Sequence, residues 1–421
     1  MGIVKTKQPQ KKKGKSLFRR VNDWLHLWLG LASGIVVVIV SITGCIYVFE
    51  REIRMVTEPF QFVKAENRPM LPPSVLKQKA EQYAFAGKTD TLERRITGVT
   101  YNPPGHAAMS AYNTKATGYT AIYQNPYTGE VLHEKRFEKD FFRIVLMGHY
   151  YLWLPHEVGH VVVGWAIFIF VLLLITGLVI WWPKNLKKAN VDKSFKIKWG
   201  ASFKRVNYDL HNVLGFYVLL VAFAIAVTGL VWSFEWWGKS YYWLLSGGKK
   251  LETGRGKNQP PAKNDPGTTA MYAHPEDVLW QRSMAQYPDN QGYLQIGFGA
   301  KKTDPLTVYY NPTLKTYYKR EFKTYNSNTL AEIPRKGIYS TPYAKATVAD
   351  KIYRANYDIH VGAIGGITGK IIAFFASLIC ASLPVTGFIV WWGKKKKKKK
   401  PAAVSVPRKA VVKEEAMAEM V

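Results

Sequence analysis

The strongest constraint on this chain is that it repeats itself. Arg20-Val21-Asn22-Asp23-Trp24-Leu25-His26 returns as Arg205-Val206-Asn207-Tyr208-Asp209-Leu210-His211, and an apolar run follows each copy. Thr43-Gly44 lies 17 and 18 residues after His26, and Thr228-Gly229 stands at the same offsets after His211. Phe49-Glu50 and Phe234-Glu235 then match as well, so the period from His26 to His211 is 185 residues. Such self-similarity is read before local structure, because each copy must fold into an equivalent unit. The later part of each copy agrees. Arg143 precedes His149 by six residues and Arg354 precedes His360 by six; the apolar runs that follow end in Thr176-Gly177 and Trp181-Trp182, and in Thr386-Gly387 and Trp391-Trp392. Four apolar segments therefore each carry a leading R-x5-H and a trailing T-G.

Trp24 to Phe49 is apolar for longer than the about 20 residues that a helix needs to cross a bilayer. Further spans are expected over Val161–Trp182, Val213–Trp232 and Ile371–Trp392. The net charge of +30, from 59 basic and 29 acidic residues, first suggests nucleic acid. Much of it, however, flanks the apolar runs: the leader, the loop from Lys184 to Arg205, and the tail with Lys394 to Lys400. By the positive-inside rule all three are cytoplasmic, as are both termini, and no nucleic-acid partner is expected. The organisation predicted is a basic leader over 1–23, spans over 24–50, 149–182 (with a juxtamembrane segment), 207–235 and 359–392, a cytoplasmic loop over 183–206, a basic tail over 393–421, and external regions over 51–148 and 236–358. Ile42-Thr43-Gly44-Cys45 resembles a lipoprotein cleavage site, but the repeat accounts for Thr43-Gly44, and Leu230 replaces Cys45 in the other copy. The two cysteines, Cys45 and Cys380, lie inside apolar segments, so no disulfide framework or Cys-based zinc site is expected, and no C-x-x-C-H is present for covalent haem attachment.

Each external region reads as a small α+β unit. In the first, Ser74 caps a helix through Tyr83, alternating segments follow at Arg95–Tyr101, Ala107–Tyr112 and Tyr119–Tyr123, and Asn125-Pro126-Tyr127-Thr128-Gly129-Glu130 is a turn. The second has a helix near Glu276–Gln286, strands near Tyr293–Phe298 and Thr307–Tyr310, and then Asn311-Pro312. Gly247–Thr269, rich in Gly, Pro and Lys, reads as a loop.

The turn N-P-Y-T-G-E-V at 125–131, set between spans that begin with R-x5-H and end with T-G, resembles the PepSY-associated transmembrane proteins over about residues 16–395. That family includes bacterial inner-membrane reductases of ferric siderophores carrying two b-type haems. The resemblance implies a bacterial inner-membrane location, a four-helix transmembrane bundle from an internal duplication with two extracytoplasmic α+β (PepSY-like) regions, two haem b groups, and a ferric-siderophore substrate. This chain departs from the pattern at Asn311-Pro312-Thr313-Leu314, which lacks the glycine turn.

Histidine near an apolar span is costly and tends to face the bundle interior. His26 and His211 sit at cytoplasmic ends, His149 and His360 at external ends. Two histidines at one depth on separate helices can fill both axial positions of a haem iron, so the repeat supplies two such pairs. Thr43 lies roughly 25 Å along the helix from His26, towards the opposite face. Gly44 and Gly229 are therefore expected beside the external haem, and Gly177 and Gly387 beside the cytoplasmic one, unless these small residues only let helices pack closely. Arg20, Arg205, Arg143 and Arg354 could pair with haem propionates, or act as ordinary interfacial anchors.

His156-Glu157-Val158-Gly159-His160 matches the zinc-protease string H-E-x-x-H, but Pro155 and Gly159 weaken the helix and no third ligand is evident. In the repeat only Gly159 recurs, at Gly369. His156 or His160 could also replace His149 as the external ligand. Gly297-Phe298-Gly299 opens no dinucleotide site, so electrons are expected from a membrane quinol or another donor. The leading expectation is an oxidoreductase that passes electrons across the bilayer to a ferric siderophore. The alternatives are a haem-free membrane-anchored PepSY module that binds or regulates a partner, and a zinc protease.

Overall fold

A computed structural model describes residues 16–183, 187–252, 270–288, 291–301 and 303–398. Most of the basic leader, the core of the Gly/Pro/Lys-rich loop and the end of the tail lie outside the described residues. The chain runs through α1 (Leu17–Tyr47), α2 (Glu50–Thr57), α3 (Pro73–Phe85), β1 (Gly98–Tyr101), β2 (Ala108–Thr114), β3 (Gly118–Gln124), β4 (Val131–Arg136), α4 (Phe141–Tyr151) and α5 (His156–Trp181). It continues through α6 (Lys188–Phe195), α7 (Phe203–Asp209), a π-turn (Leu210–Leu214), α8 (Gly215–Ser233), α9 (Glu235–Leu245), α10 (Pro275–Gln286), β5 (Tyr293–Gly297), β6 (Leu306–Asn311), β7 (Glu321–Tyr325), α11 (Val348–Arg354), α12 (Asn356–His360) and α13 (Gly366–Lys398).

Four helical stretches are long and apolar enough to cross a membrane: Leu17–Tyr47, His156–Trp181, Phe203–Ser233 and Ala363–Gly393. α1 and α8 each pack against α5 and α13, so α1 and α8 sit on one diagonal of a four-helix bundle. Large apolar side chains such as Trp28, Ile35, Ile42, Leu220 and Phe375 point outward, as they do where the surrounding solvent is lipid. Inside, Val37, Phe170, Leu174, Ala222, Leu230 and Ala376 form an apolar core. The first and third spans begin before the expected bounds, at Leu17 and Phe203, because polar residues such as Asn22 and Asp23 continue the helix ahead of the apolar run.

The two regions expected to be separate α+β units are one body. All seven strands form a single antiparallel sheet in the order β4-β3-β2-β1-β5-β6-β7. The halves meet at the β1–β5 pair, where Val99 faces Ile296. α3 and α10 lie together over one face, and Leu76, Tyr101, Ile122, Trp280, Leu294 and Ile296 share one core. Ser74 is not a cap. It lies inside α3, and its backbone N–H and hydroxyl donate to Asp277 of α10, at 2.8 and 2.5 Å, tying the two halves together. Five of the strands were expected, β2, β3, β5 and β6 within a residue or two and β1 with its start three residues early. β4 and β7 were not, because V-L-H-E-K-R and E-F-K-T-Y carry too few apolar residues to mark a strand.

A charged knot joins sheet to bundle. Arg54 of α2 pairs with Glu50, Glu58 and Asp140, and Lys135 of β4 pairs with Glu58 and lies 3.2 Å from Asp140. Burial alone would raise the Asp140 carboxyl, but hydrogen bonds from Arg54 and Lys135 outweigh it and hold the group at about 2, below its ordinary 3.8. A depressed carboxyl contributes its full stability above the unfolded value and loses it as pH falls through the folded one. Stability of the full chain in detergent should therefore decline between about pH 4 and pH 2. Thermal unfolding of Asp140→Asn should show lower stability at pH 6 and a flatter decline across that window; an equally steep decline would remove Asp140 as a cause.

Candidate functional site: two histidine pairs

The bundle gathers the four repeated histidines in pairs. His26 of α1 and His211 of the π-turn face one another with ring centres 6.3 Å apart and planes at 85°. His149 of α4 and His360 of α12 do the same at 6.1 Å and 73°. The second pair lies at the end of the bundle next to the sheet, the first at the far end. His26 and Gly44, which mark the two sites on α1, are eighteen residues apart, about 27 Å along a helix.

Each ring is held in the same way by a neighbouring T-G. His26 Nδ1 is 3.0 Å from Thr176 Oγ1, and His211 Nδ1 is 3.0 Å from Thr386 Oγ1 and 3.1 Å from the Leu383 carbonyl. His149 Nδ1 lies 2.9 Å from the Val40 carbonyl and 3.3 Å from Thr43 Oγ1; His360 Nδ1 lies 2.9 Å from the Ile225 carbonyl and 3.2 Å from Thr228 Oγ1. Each threonine hydroxyl donates back to carbonyls three and four residues earlier in its own helix. Nδ1 is therefore the protonated nitrogen, donating to the helix, and Nε2 is the nitrogen that could meet a metal. This arrangement is how a ligating histidine is usually oriented.

The glycines lie where the spacing places them. A Cβ on Gly44 would stand 3.3 Å from His149 Cε1, and one on Gly229 would stand 3.1 Å from His360 Cε1. One on Gly177 or Gly387 would be 3.2 Å from Cε1 of His26 or His211. The missing Cβ is what lets each imidazole lie flat against the neighbouring helix.

One recurring residue escaped the sequence reading. Asn22, Asn207 and Asn356 each stand four residues before a histidine, and each donates its amide to the carbonyl of the partner threonine, at 3.1 Å to Thr176, 3.0 Å to Thr386 and 3.1 Å to Thr228. The full motif is R-x-N-x-x-x-H. The fourth copy has Val145 in that place and lacks the bond.

The arginines do not act as a set. Arg20 and Arg143 are exposed. Arg205 pairs with the buried Asp209 at 2.8 Å on its own helix. Arg354 is buried and donates to the carbonyls of Tyr318, Thr341 and Arg320, so its guanidinium faces the sheet-side loops and is committed there. Arg354 is thus removed from the candidate propionate partners.

A cavity of about 310 Å³ surrounds the sheet-side pair, lined among others by Gly44, Tyr47, Tyr150, Trp232 and Tyr357. A smaller one of about 80 Å³ adjoins the far pair, beside Gly177, Trp181 and Phe216. His156 and His160 also line the larger cavity, their rings stacked at 5.2 Å. They belong to α5, and His149, not either of them, faces His360. Among the described residues, no group of three or more His, Cys, Asp or Glu side chains is gathered for a metal ion. The glycine inside the H-E-x-x-H string has a packing cause: a Cβ on Gly159 would lie 2.0 Å from the Tyr151 carbonyl, and one on Gly369 would lie 2.1 Å from that of Gly362. Both glycines let a span fold tightly back on the short helix before it, the first across left-handed Leu152 and Trp153, the second across left-handed Gly362.

Four apolar spans with outward-facing apolar residues, and a sheet outside them, define a multi-pass membrane protein. The chain matches the PepSY-associated TM region over residues 24–394, nearly its whole length, and belongs to that family. No curated protein matches it.

Proposed function

We propose that the protein is a two-haem b electron carrier of the inner membrane that delivers electrons to a ferric chelate of the siderophore type on its sheet side. The observation that carries this reading is the geometry of the two histidine pairs. Two imidazoles bonded to one iron at about 2 Å have ring centres about 6 Å apart, which the 6.3 and 6.1 Å spacings fit. Nδ1 of every ring is already bonded to a helix, and a glycine clears space beside every ring. Two opposed imidazoles are the donor set a haem requires, whereas a bare cation would ask for more ligands.

Bound haem b would supply a one-electron Fe(III)/Fe(II) couple at each end of the bundle. The chain's own part is to fix the imidazole rotamers, to hold Nδ1 as the donor, and to keep water from the middle with the apolar layer of Val37, Phe170, Leu174 and Ala222. Electrons would come from a membrane quinol or another donor on the far side. The accepted electron turns the chelated Fe(III) into Fe(II), which hard oxygen ligands hold less well, so the metal is released.

The absorption spectrum of the purified full chain tests the reading. Split reduced bands of low-spin b haem at two per chain are expected. A colourless protein would leave the haem-free PepSY module, and zinc without haem would favour the H-E-x-x-H reading.

Orientation follows from charge. Lys187, Lys188, Lys193, Lys196 and Lys198 lie in the loop at the far end of the bundle, where the chain's first and last spans also begin and end. The far end should be cytoplasmic and the sheet periplasmic. A reporter fused after Lys400 should read cytoplasmic and one inserted near Lys263 external; the reverse at either point overturns the assignment.

A further inference from the structure

The two halves of the sheet differ in the loop between their second and third strands, and the difference bears on where an acceptor binds. In the first half, Asn125 to Glu130 is a tight turn: Asn125 Oδ1 accepts from the Tyr127 and Thr128 amides, and Gly129 is left-handed. The second half keeps that turn at Asn326 to Ala331, where Asn326 Oδ1 accepts from the Asn328 and Thr329 amides and left-handed Leu330 takes the place of Gly129. It differs between β6 and β7, where a loop from Asn311 to Arg320 stands in place of the short connection between β2 and β3 and reaches the bundle. Asn311 Nδ2 donates to the carbonyls of Thr313 and Thr316, at 2.7 and 2.8 Å. The fully buried Asp358 accepts from the amides of Tyr317 and Tyr318, at 2.8 to 3.0 Å, and Arg354 holds the carbonyls of Tyr318 and Arg320. The loop is thereby clamped onto α11 and α12.

The clamp sets the Tyr317 ring against Tyr357 at 5.2 Å. Tyr357 lines the sheet-side cavity, as do Tyr47 and Tyr150. Trp232 bridges this group to the histidines, 6.2 Å from Tyr357 and 5.3 Å from His360. Some tyrosine hydroxyls elsewhere are engaged within the protein: Tyr101 donates to the Leu71 carbonyl, Tyr242 to Asp350, and Tyr287 to Glu321. The hydroxyls of Tyr47, Tyr150, Tyr317 and Tyr357 make no hydrogen bond to another described residue, and Tyr317 and Tyr357 are half-buried. A tyrosine hydroxyl that the protein itself does not engage is free to donate to a ligand. The same loop presents exposed Lys315 and Lys319, and Arg51, whose guanidinium donates to the Leu314 carbonyl, stands beside Tyr317.

We propose that this tyrosine-lined mouth, built by the 311–320 loop of the second half, is the seat of the external acceptor, and that it selects an anionic iron chelate with oxygen ligands. The hydroxyls donate to the chelate's oxygens, the aromatic faces cover its apolar parts, and the lysines and Arg51 match its charge. The seat adjoins the His149–His360 pair, so a bound chelate lies within a few side chains of the proposed electron source. The inference rests on the function proposed above, and its test is independent of redox chemistry.

That test is equilibrium binding to the purified full chain of gallium(III) tris-catecholate, a trianion whose metal is not reduced, with neutral gallium(III) tris-hydroxamate for comparison. The trianion should bind, and more tightly than the neutral complex. Tyr317→Phe/Tyr357→Phe, which keeps both rings, should weaken the trianion at least tenfold, and so should Lys315→Glu/Lys319→Glu, which alters only exposed side chains. Tyr119→Phe, on the other half of the sheet, should leave binding unchanged. Unchanged binding in both double variants overturns the proposal. So does a changed haem spectrum in Tyr317→Phe/Tyr357→Phe with chelate binding intact, because the hydroxyls would then serve the cofactor's carboxylates. A protein that lacks haem yet binds the trianion in this pattern would sink the electron-carrier reading and leave the seat standing.

Discussion

Alanine at His26 or at His211 should abolish one haem and spare the other, and alanine at His149 or His360 should do the reverse. The expectation rests on the observed pairing. His26 faces His211 and His149 faces His360, with no crossing between the two ends of the bundle. Losing one axial imidazole leaves iron without a strong ligand, so the affected haem is lost or becomes high-spin. The double variant His26→Ala/His211→Ala should resemble either single, because both changes act on one site and neighbours of this kind are not additive. Reduction of an external ferric chelate should stop in all four singles, since electrons need both ends of the bundle. His106→Ala and His274→Ala should keep two haems; both lie in the sheet region, His106 against Phe62 and His274 at the start of α10. Haem content per chain, read from the reduced spectrum, decides the matter. Two unchanged haems in His26→Ala and in His211→Ala would refute the pairing. Loss in His160→Ala with retention in His149→Ala would move the sheet-side ligand onto α5.

The pairing was legible because a repeat supplies its own control. One histidine beside an apolar run says little; four at matching offsets fix which ends of the spans hold them, and helical rise then predicts which end each glycine reaches. That arithmetic placed Gly44 and Gly229 at the end that holds His149 and His360, and Gly177 and Gly387 at the end that holds His26 and His211; which ring each glycine meets is seen only in the structure. The asparagines were missed although they stood in the same strings, because the arginine drew the chemical argument. An amide that braces the neighbouring helix carries no signal of its own beyond recurrence. The single sheet was not legible at all. Its joining pair, β1 with β5, brings together residues nearly two hundred positions apart, and strand propensity does not name a strand's partner. The sequence reading looks for the glycine turn at Asn311-Pro312 and finds it lost there, whereas the fold keeps it at Asn326–Ala331 with left-handed Leu330 in place of glycine. The 311–320 loop is a different connection, held by Asp358 and Arg354, whose burial only the fold reveals.

Arg354 supports the second large prediction, and the repeat again provides the comparison. Arg143 and Arg354 hold the same place in the two copies, six residues before a histidine. Arg143 is exposed, whereas Arg354 is 1% exposed and spends its guanidinium on three backbone carbonyls beneath the rings of Tyr339 and Tyr343. Arg354→Ala leaves those carbonyls buried without donors and opens a void, at a cost of about 3 kcal/mol or more. Arg354→Lys should recover little, because an ammonium cannot reproduce the planar fork. Arg143→Ala should stay within about 0.5 kcal/mol of the parent, as surface changes generally do. Thermal unfolding in detergent gives the ranking, and limited proteolysis locates the damage: Arg354→Ala should become cleavable at Lys315, Lys319 and Arg320 while the first half of the sheet resists. Because α12 carries His360 and begins two residues after Arg354, the sheet-side haem should also weaken in Arg354→Ala, and the far haem should not. Equal effects of Arg143→Ala and Arg354→Ala on that haem, with no difference in stability, would instead return both arginines to the role of propionate partners.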